Sequence, residues 1–144
     1  MTLSDINSLF NNLPQIERTN ALLEKKAVKI QWKGASGSSK AFCASSIARK
    51  NNRNHLFVLS DKEDAAYFFN DLEAINNNDK QVLFFPETSS QKLNRNKIDS
   101  LTAISRAEVL ERCALGKNTW VVTYPDALIE KVPRKKEIND FYYG

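Results

Sequence analysis

Residues Gly34 to Ala41 have the spacing of a loop that binds phosphate. They read Gly34-Ala35-Ser36-Gly37-Ser38-Ser39-Lys40-Ala41, beside the P-loop pattern G-x-x-x-x-G-K-[ST]. In that pattern the glycines let backbone N–H groups and a helix N-terminus approach a phosphate, and the lysine neutralises its charge. Because Gly34, Gly37 and Lys40 are present, the stretch indicates a nucleotide site that has lost part of its chemistry.

Two working positions of this loop are changed. Ser39 stands where the pattern has its last glycine, and Ala41 stands where a hydroxyl should bind Mg²⁺. If position 39 needs a left-handed backbone, serine costs about 1–2 kcal/mol there. Without the hydroxyl at position 41, the metal that organises the phosphates is poorly held. Two alternatives stay open: an ordinary Gly/Ser turn, and a small P-loop NTPase or kinase in which Lys40 binds phosphate and Ser38 or Ser39 holds the metal.

Other catalytic groups are weakly supported by the sequence. Cys43 and Cys113 lie far apart, and His55 is the only histidine, so we expect two buried free thiols and no zinc or Cys/His site. A nucleotide hydrolase needs an acidic strand end for Mg²⁺, and Ser60-Asp61 is the nearest candidate. A capping box between Ser60 and Glu63 already explains that pair. We therefore predict no catalytic residue and no metal ligand.

The composition is that of one soluble globular domain. The chain has 144 residues, of which 42% are hydrophobic and 26% charged. Its apolar runs are too short to span a membrane, and its N-terminus lacks the plan of a signal peptide, so we expect a cytoplasmic protein. The net charge of +4 is mild and permits acidic partners such as nucleic acid.

The order of the elements predicts an α/β fold. Ser4 and Pro14 open two short helices, and residues 28–32 alternate between apolar and polar as in a strand that leads into the Gly/Ser loop. Further strands are predicted at 56–59, 82–85 and 120–123. Helices are predicted at 40–50, at about 61–75, at 98–114, where Gly116 ends the helix, and from Pro125 to about Val132. Such βαβαβαβα alternation favours a parallel sheet with right-handed crossovers and helices on both faces.

Finer expectations concern the faces of these elements and the domain boundaries. The continuous apolar run from Leu56 to Leu59 predicts a strand covered on both faces. The long helix is expected to turn one set of side chains inward: Ile98, Leu101, Ile104, Leu110 and Ala114. We predict N-terminal helices over 1–26 that pack on the sheet, an α/β domain over 27–132, and a linker or the start of a further subdomain over 133–144, with Arg134-Lys135-Lys136 exposed.

A series of short segments follows the loop in a fixed order. They are Leu56-Phe57-Val58-Leu59-Ser60-Asp61, Leu83-Phe84-Phe85-Pro86, Ser105-Arg106-Ala107-Glu108-Val109-Leu110 and Val121-Val122-Thr123-Tyr124-Pro125-Asp126-Ala127-Leu128. With the loop, this series resembles the N-terminal domain of the bacterial transcription-repair coupling factor (Mfd) family. That domain is similar to the first motor subdomain of the excision-repair protein UvrB. The resemblance spans about Leu22 to Val132.

The resemblance implies both a fold and a function. The fold is a three-layer RecA-like (P-loop NTPase-like) parallel sheet flanked by helices, a degenerate helicase motor subdomain. The whole protein is an ATP-dependent translocase on double-stranded DNA that removes stalled RNA polymerase and recruits UvrA in nucleotide excision repair. In the family the N-terminal module has lost ATP binding, and Mg-ATP is used by motor domains further along. The chain is thus expected to be a non-catalytic scaffold without a cofactor, whose partners are other domains of the same protein, and without a membrane partner.

The chain departs from UvrB after its third predicted strand. UvrB has a tyrosine-rich hairpin there that clamps DNA, whereas no Phe, Trp or Tyr occurs here from Glu87 to Thr119. Lys92, Arg95 and Lys97 could contact phosphates, although solvated loop charges are favoured. Tyr142 and Tyr143 are expected to pack at the domain boundary. The UvrA-binding subdomain would begin after about Lys131, and a nucleic-acid-binding module, which predicts a steep salt dependence, is the third alternative.

Overall fold

The computed structural model describes residues 1–88 and 95–143, without the side chains of residues 95–99, 139 and 141–143. The chain divides into two compact units. The helical unit contains Met1–Arg53 and Asn70–Asp79, and the sheet unit contains Asn54–Phe69 and the described residues from Lys80 onward. The predicted boundaries after residues 26 and 132 stay predictions. The expected roles of Lys92, Arg95, Lys97, Tyr142 and Tyr143 lie outside the described side chains.

The helical unit is built from short amphipathic helices. They are α1 (Leu3–Asn11), α2 (Pro14–Leu23), α3 (Ser39–Lys50) and the end of α4 (Lys62–Ile75). Thr2, and not the predicted Ser4, caps α1, since its hydroxyl accepts the Asp5 N–H while the Asp5 carboxylate accepts the Thr2 N–H. Pro14 opens α2 as predicted. Phe10 stacks on Phe42 with ring centroids 5.0 Å apart, beside the buried side chains of Ile16, Leu72 and Ile75.

The sheet unit contains a parallel sheet of three strands. These are β1 (His55–Val58), β2 (Val82–Phe84) and β3 (Trp120–Thr123), in the order β1-β3-β2. His55 and Val82 both pair with Trp120, so the three strands end at one edge of the sheet. Helices α5 (Arg95–Ala114), α6 (Pro125–Leu128) and α7 (Lys135–Tyr143) complete the unit. The mixed α/β architecture with a parallel sheet confirms the coarse prediction.

The predicted first strand is wrong. Val28, Ile30 and Trp32 are half-buried and alternate with exposed neighbours, but residues 28–33 belong to no strand. Alternating exposure arises on any segment with one covered side, whereas a strand also needs backbone bonds to a partner. The indole N–H of Trp32 instead donates to the Thr19 hydroxyl on α2 at 3.0 Å. The Gly/Ser loop therefore does not follow a strand of the sheet.

Two predictions about buried faces are also wrong. Strand β1 is an edge strand whose Leu56 and Val58 are 59% and 51% exposed, so it is not covered on both faces. Only β3, which has a neighbour on each side, is buried along its whole length. On α5, Leu101 and Ile104 are exposed, whereas Leu110 and Ala114 are half-buried and the side chain of Ile98 lies outside those described. Arg106 and Val109 are buried on this helix.

The last part of the chain differs from its prediction in helix bounds. Helix α5 ends as expected at Gly116, whose φ of +67° suits glycine and whose N–H bonds the Cys113 carbonyl. Helix α6 ends at Leu128, short of the predicted Val132. Lys135 and Lys136 are exposed as predicted and lie in the first turn of α7. Within the described ranges, no helix combines the length and apolar composition needed to cross a membrane.

Candidate functional site

The predicted nucleotide loop lies in the helical unit and leads into α3. Gly34 and Gly37 have φ values of +88° and +53°, so the two retained glycines occupy the left-handed positions. Ser39 is the first residue of α3 and does not have a positive φ. Position 39 therefore does not need a left-handed backbone, and serine causes no backbone strain there. Lys40 is exposed.

Four backbone N–H groups of the loop donate within the loop and the first turn of α3. The Ser36 N–H donates to the Ser39 hydroxyl at 3.0 Å, and that hydroxyl donates back to the Ser36 carbonyl at 2.6 Å. The N–H groups of Ser39, Lys40 and Ala41 donate to the carbonyls of Ser36, Gly37 and Ser38. A phosphate cradle needs such groups aimed at the anion. Ser39 thus closes the loop by a hydroxyl clasp instead of leaving it open.

Position 41 is unsuited to hold a metal. Ala41 is fully buried, so its side chain lies in the core of the helical unit and offers no oxygen to the loop. Among residues 1–88 and those described from 95 onward, no group of three His, Cys, Asp or Glu side chains is arranged to hold a metal ion. The alternative metal ligand Ser39 already donates and accepts within the clasp.

The other sequence candidates take structural positions. The Asp64 N–H donates to the Asp61 carboxylate at 2.9 Å, and the Ser60 hydroxyl donates to the Asp64 carboxylate. Asp61 therefore caps α4, and the predicted box between Ser60 and Glu63 is wrong because the helix begins at Lys62. Cys43 is buried as expected, and burial raises the pKa of its thiol. Cys113 is exposed, contrary to the prediction.

A second candidate site lies at the carboxyl ends of β2 and β3, where parallel sheets commonly bind ligands. An open groove of about 580 Å³ is lined there by Glu87, Thr88, Arg106, Asp126, Ile129, Glu130 and Lys131. Arg106 on α5 reaches this place with only 7% of its surface exposed. No sequence pattern indicated a role for Arg106 beyond its place in the Ser105 to Leu110 segment.

Arg106 joins the segment after β2 to the segment after β3. Its Nη1 donates to the carbonyls of Pro86 at 2.7 Å and Ala127 at 3.3 Å. The same nitrogen is 3.4 Å from the Glu130 carboxylate. The guanidinium also lies over the Phe85 ring, 4.1 Å from its centroid, which adds a cation–π contact. We call Phe85, Pro86, Arg106, Tyr124, Ala127 and Glu130 the Arg106 cluster.

The four residues from Phe85 to Thr88 each form a hydrogen bond with a side chain from elsewhere in the sheet unit. The Thr123 hydroxyl donates to the Phe85 carbonyl at 2.9 Å, and Arg106 donates to the Pro86 carbonyl. The Glu87 N–H donates to the Tyr124 phenol oxygen at 3.0 Å. The Thr88 N–H and hydroxyl both donate to Glu130, each at 2.8 Å. These hydrogen bonds hold the segment from Phe85 to Thr88 in place beside the sheet.

Tyr124 is the titratable side chain most affected by this environment. It is fully buried, and burial raises the pKa of its phenol above the ordinary value of 10.0. The hydrogen bond from the Glu87 N–H acts in the opposite direction. The negative charges of Glu87, Asp126 and Glu130 raise the pKa further. The phenol is therefore neutral at physiological pH and serves as a hydrogen-bond acceptor.

The arrangement is better suited to holding the sheet edge together than to chemistry. The Arg106 and Glu130 charges face each other, the Thr88 hydroxyl is committed to Glu130, and Tyr124 stays neutral. Three of the segments singled out in the sequence supply the cluster: the one ending at Pro86, the one containing Arg106 and the one containing Tyr124 and Ala127. In comparisons with known proteins, no family model, curated protein or solved structure matches the chain.

Proposed function

We propose that the chain is the N-terminal, UvrB-like module of a transcription-repair coupling factor and acts there as a non-catalytic scaffold. On this proposal its fold is a degenerate RecA-like motor subdomain. Mg-ATP, double-stranded DNA, RNA polymerase and UvrA are then ligands and partners of the whole protein. The UvrA-binding subdomain begins after about Lys131 and lies for the most part outside this chain.

The Arg106 cluster carries the proposal. The resemblance rests on short segments that are individually ordinary, and three of them supply residues that contact one another around Arg106. What they build is a set of hydrogen bonds that hold the segment from Phe85 to Thr88. Such contacts fit a domain whose role is to keep its shape.

The Gly/Ser loop supports the same proposal. The N–H groups of Ser36, Ser39, Lys40 and Ala41 donate within the loop and the first turn of α3, and Ala41 offers no metal ligand. A motor subdomain that no longer binds ATP needs neither a phosphate cradle nor a metal ligand. The competing proposal, a small P-loop NTPase or kinase, requires Ser38, or Ser39 released from its bonds to Ser36, to bind Mg²⁺.

Calorimetric titration of the chain with Mg-ATP tests the proposal. We expect no binding up to about 1 mM nucleotide, because the loop has no metal ligand at position 41 and its Ser39 hydroxyl is engaged within the loop. The variant Ser39→Gly, Ala41→Ser restores the P-loop residues and serves as a comparison. Micromolar binding with turnover by the unaltered chain, merely preserved in that variant, would overturn the scaffold proposal in favour of the enzyme.

A further inference from the structure

The basic residues of the chain are unevenly distributed. Residues 25 to 60 contain eight lysines or arginines and no aspartate or glutamate, so all seventeen acidic residues lie outside this stretch. The net charge of +4 conceals this asymmetry, because acidic residues further along offset much of the positive charge. A run of one sign over such a length creates a positive local potential.

All eight of these side chains are exposed in the helical unit: Lys25, Lys26, Lys29, Lys33, Lys40, Arg49, Lys50 and Arg53. The ion pairs found among the described residues join Arg106 to Glu130 and Arg112 to Glu108, and neither uses a residue of this stretch. Among the described residues these cations therefore have no ion-pair partner, which favours an acidic partner.

Hydrogen bonds bring several of the cations to one part of the helical unit. The Arg53 guanidinium donates to the Leu23 carbonyl at 3.1 Å, which places Arg53 beside the C-terminal end of α2 and the neighbouring Lys25 and Lys26. The bond from Trp32 to Thr19 holds residues 28–33 against the same helix. Because Val28, Ile30 and Trp32 are its covered positions, the exposed positions between and after them are Lys29, Gln31 and Lys33.

We define the basic surface as Lys25, Lys26, Lys29, Lys33 and Arg53. Arg49 is left out because its guanidinium donates to the Asn76 side chain and the Ile75 carbonyl. The acidic residues of the helical unit lie outside residues 25–53: Asp5, Glu17, Glu24, Asp71, Glu73 and Asp79. The basic surface therefore contains no carboxylate of its own.

The chemistry of this surface selects its partner. Protein interfaces and membrane-binding helices need exposed apolar groups at their centre. Between Leu9 and Leu56 no large hydrophobic side chain is exposed among these described residues. Single-stranded nucleic acid needs aromatic faces for stacking, and the nearest candidate, Trp32, is half-buried and tied to Thr19. A regular array of phosphates on a duplex requires only exposed cations.

We propose that the basic surface binds the phosphate backbone of duplex DNA without reading its sequence. Four to five phosphate contacts correspond to a slope of about −4 for log K against log salt concentration. The proposal concerns the helical unit alone and holds whether or not the sheet unit is a scaffold of the kind proposed above.

The test is fluorescence anisotropy of a labelled DNA duplex of about 20 base pairs, titrated at several salt concentrations. The variant carries Lys25→Gln, Lys26→Gln, Lys29→Gln and Lys33→Gln, while Arg53 is kept because its bond to Leu23 is structural. We expect at least about tenfold weaker binding at about 50 mM salt and a slope shallower by about 3. Circular dichroism checks that the helices are intact.

A matched control removes the same charge elsewhere. It carries Lys62→Gln, Lys117→Gln, Lys135→Gln and Lys136→Gln, all exposed residues of the sheet unit. Binding of the control should stay within about threefold of the unaltered chain. Equal losses in both variants, absence of salt-dependent binding, tighter binding to a single strand of the same length, or equally tight binding to phosphatidylserine vesicles would each overturn the proposal.

Discussion

Arg106 is a cation that the fold has removed from water and surrounded with acceptors. Its partners are two backbone carbonyls, the Glu130 carboxylate and the face of Phe85. A buried charge pair adds little net stability compared with a well-packed apolar pair, but loss of one partner leaves the other uncompensated. The residue therefore matters most through what its removal would expose.

Replacing Arg106 with methionine should lower the free energy of unfolding by about 3 kcal/mol. The methionine keeps much of the packing on Phe85 but leaves the Pro86 and Ala127 carbonyls without this donor and Glu130 without its ion-pair partner. Urea denaturation followed by the fluorescence of the buried Trp120 in the same unit measures the change.

The control for this variant is Arg112→Gln on the same helix. Arg112 pairs with Glu108 in a more exposed position, so its loss should cost less than about 1 kcal/mol. Arg112 also donates to the Lys80 carbonyl, which a glutamine side chain can still approach. Similar destabilisation by the two variants would contradict the special position of Arg106.

Tyr124 gives the sheet unit an alkaline limit. Since its folded-state pKa is raised above the unfolded value near 10.0, the folded state holds the phenol proton more tightly than the unfolded state. The associated stability is fully present below about pH 10 and is lost as the pH rises through the folded pKa. We expect unfolding free energies measured between about pH 9 and pH 11 to fall more steeply for the unaltered chain than for Tyr124→Phe.

The Tyr124→Phe variant also distinguishes the effect of phenol ionisation on stability from the effect of the lost hydrogen bond. At neutral pH the variant should lose about 1 kcal/mol, because the Glu87 N–H no longer has the phenol oxygen as acceptor. If both proteins lost stability in parallel above pH 10, Tyr124 would not be the group responsible.

At the scale of elements, local signals in the sequence located most helices and strands. Trp120–Thr123 forms a strand with the predicted bounds, and α2 begins at Pro14, because a compact apolar run and a ring-fixed φ act locally. The strand predicted at residues 28–32 was wrong for a non-local reason. Alternating apolar and polar residues indicate only that one side of a segment is covered, whereas a strand also needs backbone hydrogen bonds to a neighbouring strand.

The same distinction explains the candidate sites. The spacing of the Gly/Ser loop was readable, but the Ser39 clasp depends on rotamers and loop closure that no motif specifies. The Arg106 cluster joins residues distant in the chain, and helical periodicity favoured Leu101 and Ile104 over Arg106 as the inward side chains of α5. Apolar periodicity does not predict a buried arginine, because the groups that accept its hydrogen bonds lie in other segments of the chain.

The exposed face of β1 should tolerate polar residues. Leu56→Thr with Val58→Thr places a β-branched side chain in each strand position, and both sites are already more than half exposed, so the unfolding free energy should change by no more than about 1 kcal/mol. The comparison is Val122→Thr on β3, which is fully buried and should cost about 1–3 kcal/mol. Thermal denaturation monitored by circular dichroism measures both. A larger loss in the double variant would mean that the β1 face is covered in solution.

At the scale of the whole chain, the basic residues of the 25–60 stretch and the Arg106 cluster lie in different units. The eight cations between residues 25 and 60 belong to the helical unit, and the Arg106 cluster belongs to the sheet unit. Helix α4 contributes residues to both units. The chain thus combines a surface suited to phosphates with a sheet edge whose polar groups are internally satisfied.

The strand order has a consequence for biosynthesis. Strand β3 is the last of the three to be translated, yet both β1 and β2 form their hydrogen bonds with it. Until β3 has been synthesised, β1 and β2 have no strand with which to pair. Formation of the sheet then requires pairing between segments that are far apart in the sequence. The helical unit takes most of its residues from the first part of the chain and can begin folding earlier. A ribosome stalled before Trp120 would therefore expose an unpaired β1, with Leu56 and Val58 on it, to chaperones.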